Sequence, residues 1–231
     1  MPAEVIVDDP LRLARVFVSR FVELVQEAVR FSVALPGGSV AEAFCPALVD
    51  ARVEWNRVDF FWCDERAVPP DHPDSNYRIG AELLLNRIAI DPRRVHRMKG
   101  EAPDLDAAST EYETELRNTL GDVPRLDVVL LGVGPDGHVC SLFPGHPVLE
   151  ERVRRVAAIH DSPKAPPRRL TLTLPALADA YMVIAAFGAS KAAVIQEALE
   201  NPDSRLPVAL AARRARHAVF LLDEDAARLR S

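Results

Sequence analysis

The sequence predicts an α/β fold in which residues 1–231 form a single three-layer α/β/α domain with a mainly parallel sheet. Short apolar runs typical of buried strands alternate along the chain with segments of helical periodicity. Several of these runs end in glycine-containing turns, a common way for a strand to lead into a helix. No linker, internal repeat or low-complexity segment interrupts the alternation, which favours one domain.

The first half of the chain begins with a predicted helix near Pro10. Asp8 or Asp9 can cap this helix, and proline suits its first turn. Apolar side chains then recur on one helical face, at Leu13, Phe17, Phe21, Leu24 and Ala28. The following elements are predicted as a strand at 31–35, a helix at 40–49, a strand at 58–63, a helix at 76–88, a strand at 95–98 and a helix at 105–120.

The second half begins with the central apolar run at residues 126–131, which is short and β-branched enough to be a buried strand. Lys191 falls in the first turn of a later predicted helix, and the charged tail is expected to be helical or frayed. The remaining elements are predicted as strands at 153–160, 169–174, 181–187 and 217–222, with a short helix from Pro175.

Composition excludes several classes of protein. The net charge of −6 argues against a nucleic-acid-binding protein, and no apolar run is long enough to span a membrane. The N-terminus lacks the basic segment of a secretory signal. The three cysteines are an odd number without CxxC spacing, so we expect neither disulfides nor a zinc site. A cytoplasmic protein with a small-molecule substrate is the expectation.

The turn after the first predicted strand contains Gly37, Gly38 and Ser39 and leads directly into a helix. This arrangement directs backbone N–H groups and a helix N-terminus toward one point, where an anion can bind. A tight strand–helix turn without any ligand uses the same glycines, and the motif alone does not separate the two interpretations.

The loop after the central strand carries Asp136 and His138 between glycines. Histidine is the side chain whose unperturbed pKa allows proton transfer near neutral pH, and loops at the carboxyl ends of such strands commonly hold active sites. A solvated loop histidine is the alternative, because so short a motif has many false positives. The loop is therefore a candidate site that needs support from the rest of the chain.

Three charged residues, Asp64, Glu65 and Arg66, follow the apolar run at 58–63. Charges at the end of a buried strand are costly unless they pair with each other or act on a ligand. A structural ion-pair cluster and a ligand site are both consistent with this pattern. Lys191 likewise opposes the dipole of its predicted helix, which suits a bound anion, although on this feature alone a solvated lysine is the more common case.

Five blocks in order match a known family: LPGGS (35–39), DERAVPPDHPDSNYR (64–78), GVGPDGHVCSLFPGH (132–146), PKAPPRRLTLTLPAL (163–177) and GASKAAV (188–194). On these motifs the chain resembles the 6-phosphogluconolactonases over nearly its whole length. The resemblance implies the sugar-phosphate isomerase/deaminase-like fold. It also implies hydrolysis of 6-phospho-D-glucono-1,5-lactone without a cofactor or a metal.

The resemblance assigns His138 as general base and then general acid, with Asp136 or Glu65 as candidates to orient its ring. The substrate phosphate is expected between the Gly37–Ser39 turn, Arg169 and Lys191, since arginine suits bidentate contacts and lysine a point charge. The other expected contacts to the sugar or the phosphate are Asp64, Arg66, Asn76 and Arg78. The chain departs from the family pattern at Val139-Cys140, Pro36 and Val40, where hydroxyl or small residues are usual.

Two other functions remain open from the sequence. An amino-sugar-phosphate deaminase-isomerase would share the fold and the Asp-Gly-His loop, with Asp64 removing the C2 proton. Against it, SLFPG follows that loop where the deaminases have an Asn-Glu-Pro segment. A non-catalytic sugar-phosphate sensor would keep the pocket but usually carries a separate output domain. The sequence leaves the oligomeric state open between a monomer and a small homo-oligomer.

Overall fold

The apolar runs of the sequence form a parallel sheet in the computed structural model, which describes residues 3–229. The strands of this sheet are β1 (Glu4–Val7), β2 (Phe31–Leu35), β3 (Val58–Trp62), β5 (Val128–Gly132), β8 (Tyr181–Ala186) and β9 (His217–Leu222). Their order is β1-β9-β8-β5-β2-β3, and every neighbouring pair is parallel. The predicted α/β class with a mainly parallel sheet is confirmed.

Helices flank the sheet and bury its apolar side chains in one cluster. They are α1 (Pro10–Glu27), α2 (Gly38–Leu48), α3 (Asn76–Leu83), α4 (Leu105–Leu120), α5 (Leu174–Leu177), α6 (Ala192–Glu200), α7 (Pro207–Ala212) and α8 (Glu224–Ala227). Asp9 caps α1, accepting hydrogen bonds from Leu11 N and Arg12 N at 3.0 Å. Phe17 of α1 stacks on Phe44 of α2, with 5.3 Å between ring centroids. Aromatic packing thus joins neighbouring helices as well as helix and sheet.

A second, antiparallel sheet contains β4 (Asp64–Arg66), β6 (Val156–Ile159) and β7 (Arg169–Leu172), in the order β4-β7-β6. The sequence predicted Asp64–Arg66 as the charged end of a buried strand, but these residues change sheets instead. Cys63 is the link: its N–H donates to Leu35 O at 2.8 Å, and its carbonyl accepts from Leu172 N at 2.8 Å. Cys63 therefore joins β3 of the parallel sheet to the charged strand Asp64–Arg66 of the second sheet.

Several predicted boundaries were wrong. The strand expected at 95–98 is a single bridge between Val95 and Phe60, and the next residue, His96, has both ring nitrogens on carboxylates. α3 ends at Leu83 rather than 88, and β1 was missed because four residues at a sheet edge carry little periodicity. Lys191 ends a separate turn, Ala189–Lys191, just before α6. The predicted tail forms α8, and residues 230 and 231 lie outside the described range.

Successive strands are added on opposite sides of β2, so the strand order reverses between β2 and β5. From β2 the chain proceeds outward to β3, and it then returns to place β5 on the other side of β2. The loops that leave two such strands diverge and open a crevice at their carboxyl ends, where α/β proteins bind ligands. The glycine turn after β2 and the Asp-Gly-His loop after β5 lie at this crevice.

Candidate active site

The glycine turn after β2 forms one wall of the site. Gly37 is the N-cap of α2, and Gly38 adopts a φ of +62°, a conformation that glycine reaches without strain. A Cβ on Gly37 would lie only 1.7 Å from the side-chain oxygen of Asn76, so the absence of a side chain lets that amide approach. The first N–H groups of α2 consequently face the crevice beside Ser39, as the sequence predicted for an anion site.

The loop after β5 is closed by its own backbone. Gly134 N donates to His138 O at 2.9 Å, and Gly137 N donates to Gly134 O at 2.9 Å. Gly137 has a φ of +82°, and its Cα packs against the side chain of Leu206 in front of α7. These local bonds hold the backbone of His138 in place.

His138 is paired with Asp136. The distance from His138 Nδ1 to Asp136 Oδ1 is 2.5 Å, and the imidazole lies on Phe143 with 4.8 Å between ring centroids. The ring also packs against the Cα of Gly134, where a Cβ would come within 1.9 Å of Nδ1. With Nδ1–H donated to the carboxylate, Nε2 is left as the proton acceptor of the neutral ring. Of the two candidates for orienting His138, the structure brings Asp136 to the ring.

The electrostatics of the pair favour a neutral imidazole beside an ionised carboxylate. Burial is the largest influence on His138 and lowers its pKa, Lys164 lowers it further, and Asp136 acts in the opposite direction. Burial would raise the pKa of Asp136, but its hydrogen bonds to His138 and Lys164 outweigh that effect and lower it to about 2. A ring that is unprotonated at neutral pH is the form that a general base requires.

Asp64 lies at the centre of a buried hydrogen-bond network behind the site. Its Oδ1 accepts from Asn76 Nδ2 at 3.0 Å, and its Oδ2 accepts from Ser141 Oγ at 2.7 Å. Arg169 Nη1 lies 3.8 Å from the same carboxylate. The side-chain oxygen of Asn76, which is 1% exposed, has no hydrogen-bond partner within residues 3–229. This oxygen remains as an acceptor next to Gly37.

Arg169 holds the loop that precedes β7. Its Nη2 donates to Lys164 O at 3.1 Å and to Ala165 O at 3.0 Å, and its Nε donates to Pro166 O at 3.0 Å. The guanidinium carbon lies 5.7 Å from the centroid of the Phe143 ring. Three carbonyls therefore occupy most of the donors of Arg169. Its Nη1 faces Asp64 and Ser141.

Lys164 and Ser141 are site residues that the sequence analysis missed. Lys164 Nζ lies 3.3 Å from Asp136 Oδ1 and 3.3 Å from His138 Nδ1. Both residues stand inside the matched blocks, but nothing in the spacing marked them. Lys164 reaches His138 across 26 residues of sequence, and Ser141 reaches Asp64 across 77. Arg169 donates to the carbonyls of the loop that carries Lys164.

Glu65 lies under the N-terminus of α3 instead of beside His138. Its carboxylate accepts from Asn76 N and Tyr77 N at 2.8 Å and from Ser75 Oγ at 3.0 Å. Burial raises the pKa of Glu65, and these hydrogen bonds partly oppose the increase. A carboxylate at a helix N-terminus satisfies N–H groups that would otherwise lack partners. The geometry therefore gives Glu65 a capping position.

The two arginines of the second block separate. Arg66 lines the cavity, and its Nη1 donates to Asp74 O at 2.8 Å. Arg78 instead pairs with Glu82 on α3 at 2.9 Å and is not part of the cavity lining. The expected contact between Arg78 and the substrate thus receives no support from the geometry.

Most of the predicted residues line a cavity of about 340 Å³ at the crevice, a size that suits a small ligand, whereas Glu65, Arg78 and Asp136 are not part of its lining. A larger cavity of about 580 Å³ beside β1 contains none of the predicted site residues. The departures from the family pattern at Pro36, Val40 and Cys140 all line the smaller cavity. Its polar lining comprises Gly37, Gly38, Ser39, Asp64, Arg66, Asn76, His138, Lys164, Arg169 and Lys191.

The cavity is cationic within an acidic protein. Burial and the neighbouring Lys164 lower the pKa of Lys191, as expected for two like charges that share one space. Across residues 3–229, no group of three or more histidine, cysteine or carboxylate side chains is arranged to hold a metal ion. The arrangement can bind a small anion and present a neutral imidazole to it.

Residues 9–220 match the family model described as glucosamine-6-phosphate isomerases/6-phosphogluconolactonase. The chain belongs to this family. Among relatives, 6-phosphogluconolactonase of Rattus norvegicus is 45% identical over 210 residues, which cover 87% of this chain and 81% of the relative. The Streptomyces coelicolor 6-phosphogluconolactonase is 39% identical over 210 residues, covering 85% of this chain and 80% of that protein.

Solved structures of the glucosamine-6-phosphate isomerase/6-phosphogluconolactonase family share the fold. A 6-phosphogluconolactonase from Trypanosoma cruzi superposes with a TM-score of 0.87 at 27% identity, covering 99% of this chain and 97% of its own. A monomeric glucosamine-6-phosphate deaminase gives a TM-score of 0.83 at 23% identity and covers all of both chains. The second likeness concerns the fold alone. No helix within residues 3–229 has the length and apolar character needed to cross a membrane.

Proposed function

We propose that the protein hydrolyses 6-phospho-D-glucono-1,5-lactone to 6-phospho-D-gluconate, the lactonase step of the oxidative pentose phosphate pathway. The observation that carries the proposal is the His138–Asp136 pair at 2.5 Å, opening into a cavity lined by a glycine turn and cationic side chains. The relatives named 6-phosphogluconolactonase support the same substrate. A cytoplasmic location is part of the proposal, and the free thiols of the three cysteines agree with it.

In the proposed reaction, Nε2 of His138 removes a proton from water as the water oxygen attacks the lactone carbonyl carbon. The tetrahedral oxyanion then collapses, and the bond between that carbon and the ring oxygen breaks. The imidazolium returns its proton to the departing ring oxygen, which becomes the hydroxyl group of the product. Asp136 keeps Nδ1–H in place throughout, so that the same nitrogen serves both proton transfers.

The phosphate is proposed to bind at the start of α2. The N–H groups of the Gly37–Ser39 turn supply hydrogen bonds, and Lys191 adds a point charge. Arg169 contributes through Nη1, because its other donors are held by the loop carbonyls. The unpartnered oxygen of Asn76 is positioned to accept a hydrogen bond from a sugar hydroxyl group.

The deaminase-isomerase alternative requires Asp64 to act as a base on carbon. Both oxygens of this carboxylate already accept hydrogen bonds, one from Asn76 and one from Ser141, and Arg169 lies 3.8 Å away. Protein donors thus already occupy the two oxygens that would have to reach a substrate carbon. The geometry therefore favours the lactonase. A non-catalytic sensor would bind the sugar phosphate without turnover.

One set of assays separates these functions. Purified protein is tested for proton release from 6-phosphogluconolactone and for turnover of glucosamine-6-phosphate, with spontaneous lactone hydrolysis subtracted at every pH. We expect hydrolysis of the lactone only, and His138→Asn should lower kcat by about two to four orders of magnitude. His146→Asn is the matched control, since His146 pairs with the exposed Asp161 outside the cavity. Near-normal turnover by folded His138→Asn would exclude His138 as the base.

A further inference from the structure

Lys164 lies against the catalytic pair although neither its sequence position nor its spacing suggested a role. Its Nζ is 3.3 Å from both Asp136 Oδ1 and His138 Nδ1, and its side chain is 37% exposed. The chain contains only three lysines among 28 basic residues, and two of them, Lys164 and Lys191, line this cavity. The charge beside the pair is thus a specific feature of the site.

The backbone of Lys164 is fixed from two sides. Arg169 Nη2 donates to its carbonyl at 3.1 Å, and Ser162 Oγ donates to the same carbonyl at 2.9 Å. The N–H of Lys164 donates back to Ser162 Oγ at 3.2 Å. A residue held this way can place its ammonium group reproducibly, whereas a lysine on an unsupported loop would be mobile.

We propose that Lys164 is a positioning residue for the general base: its ammonium group fixes the Asp136 carboxylate and opposes a positive charge on the imidazole of His138. The inference rests on the proposed function, in which neutral His138 accepts the proton of water. Lys164 touches the pair rather than the reacting bond. Its contribution is to keep Nε2 unprotonated at the pH where the enzyme works.

The charges around His138 show why such a residue is needed. Asp136 at 2.5 Å favours the imidazolium form, and Asp64 acts in the same direction from the other side of the cavity. Burial lowers the pKa of His138, and the two carboxylates beside the imidazole act against that effect. Lys164 opposes them directly, and Lys191 and Arg169 add positive charge to the same cavity.

The decisive experiment is an NMR titration of the imidazole Cε1–H signals of the six histidines in the free enzyme. The His138 signal is assigned by its absence from His138→Asn. In Lys164→Met the midpoint of the His138 titration should move to higher pH, because the opposing cation is gone. Lys164→Arg should return the midpoint toward that of the wild type. Lys99→Met is the matched control, since Lys99 pairs with Glu111 on the surface and should leave His138 unchanged.

Activity gives an independent measure. The acidic limb of the kcat/KM profile for lactone hydrolysis should shift in Lys164→Met in the same direction as the NMR midpoint. Equal His138 midpoints in wild type and Lys164→Met would overturn the inference. An unchanged titration of buried His96 would show that the variant is folded. A shifted midpoint in a protein that does not hydrolyse the lactone would instead refute the proposed function and leave the charge relationship standing.

Discussion

Replacing Gly134 by alanine tests whether the position of the imidazole controls the reaction. A Cβ at this residue would lie 1.9 Å from His138 Nδ1, 2.0 Å from its Cε1 and 2.6 Å from Asp136 Oδ1. Gly134 has no unusual backbone conformation, and its N–H already donates to His138 O at 2.9 Å. The methyl group would therefore act on the His138–Asp136 pair and not on the conformation of the loop.

The size of the effect follows from the clash. Normal contact requires the imidazole to retreat by more than about 1 Å, and a displacement of that size is worth roughly 10²-fold in rate. We expect kcat of Gly134→Ala to fall by about that factor, or roughly 2.7 kcal/mol in activation free energy. KM should change little, because the groups proposed to bind the phosphate lie on β7, α2 and the turn before α6. Overpacking should also lower stability by roughly 1–3 kcal/mol.

Gly145→Ala is the control for that loss of stability. Gly145 has a φ of +75° with no atom within 4 Å of an added Cβ, so alanine strains the backbone without touching the pair. That strain should cost roughly 1–2 kcal/mol of stability and leave kcat unchanged. The two variants are compared by thermal unfolding and by initial rates of proton release. A Gly134→Ala enzyme with wild-type kcat would refute the placement of the imidazole against Gly134.

Three further outcomes are expected. Lys191→Ala should raise KM for the phosphorylated lactone by about 10- to 100-fold, since a charge-assisted contact contributes roughly 1.5–3 kcal/mol. Arg169→Ala should raise KM in the same way and should in addition lower the melting temperature. Unchanged kcat/KM in both variants would place the phosphate elsewhere. Activity should survive exhaustive chelation, and loss with EDTA that a divalent ion restores would contradict the proposed metal-free reaction. His96 is buried with its ring nitrogens on Asp59 and Glu115, and although burial opposes protonation, these carboxylates raise its pKa above 6.5. His96 contributes its full stabilisation below the pKa that it has in the unfolded chain, and this contribution is lost as the pH rises through its pKa in the folded protein. Above pH 6.5, the unfolding free energy of His96→Gln should therefore depend less on pH than that of the wild type.

The sequence predicted those parts of the fold and site that depend on local pattern. The run at 126–131 and the glycines after it carry their own signal, so β5 and the loop with His138 were found with small shifts at the ends. The second sheet was not predicted as a sheet because its three strands are only three or four residues long. Its connection to the parallel sheet depends on the backbone bonds of Cys63 to Leu35 and Leu172, which are far apart in the sequence. Such long-range pairing leaves no periodicity in a short strand.

The same distinction applies to the site residues. His138 and the glycine turn could be selected from residue type and spacing, because their chemistry is tied to a loop after a strand. Lys164 could not, since its role depends on contacts between residues 26 or more positions apart. Glu65 and Asp136 looked equivalent as acids near a site, and only the cap of α3 and the 2.5 Å contact distinguish them. Residue type alone gave each the same chemistry.

Asp136 and His138 are separated by one residue in the chain, whereas the cations of the cavity come from positions 66, 164, 169 and 191. Bringing Asp136 to His138 closes a very short loop, and joining the cations to that pair closes much longer ones. Asp136 and His138 thus share one short loop that is closed by its own backbone hydrogen bonds. The cations proposed to contact the substrate come from separate segments, so each can be replaced without altering those bonds.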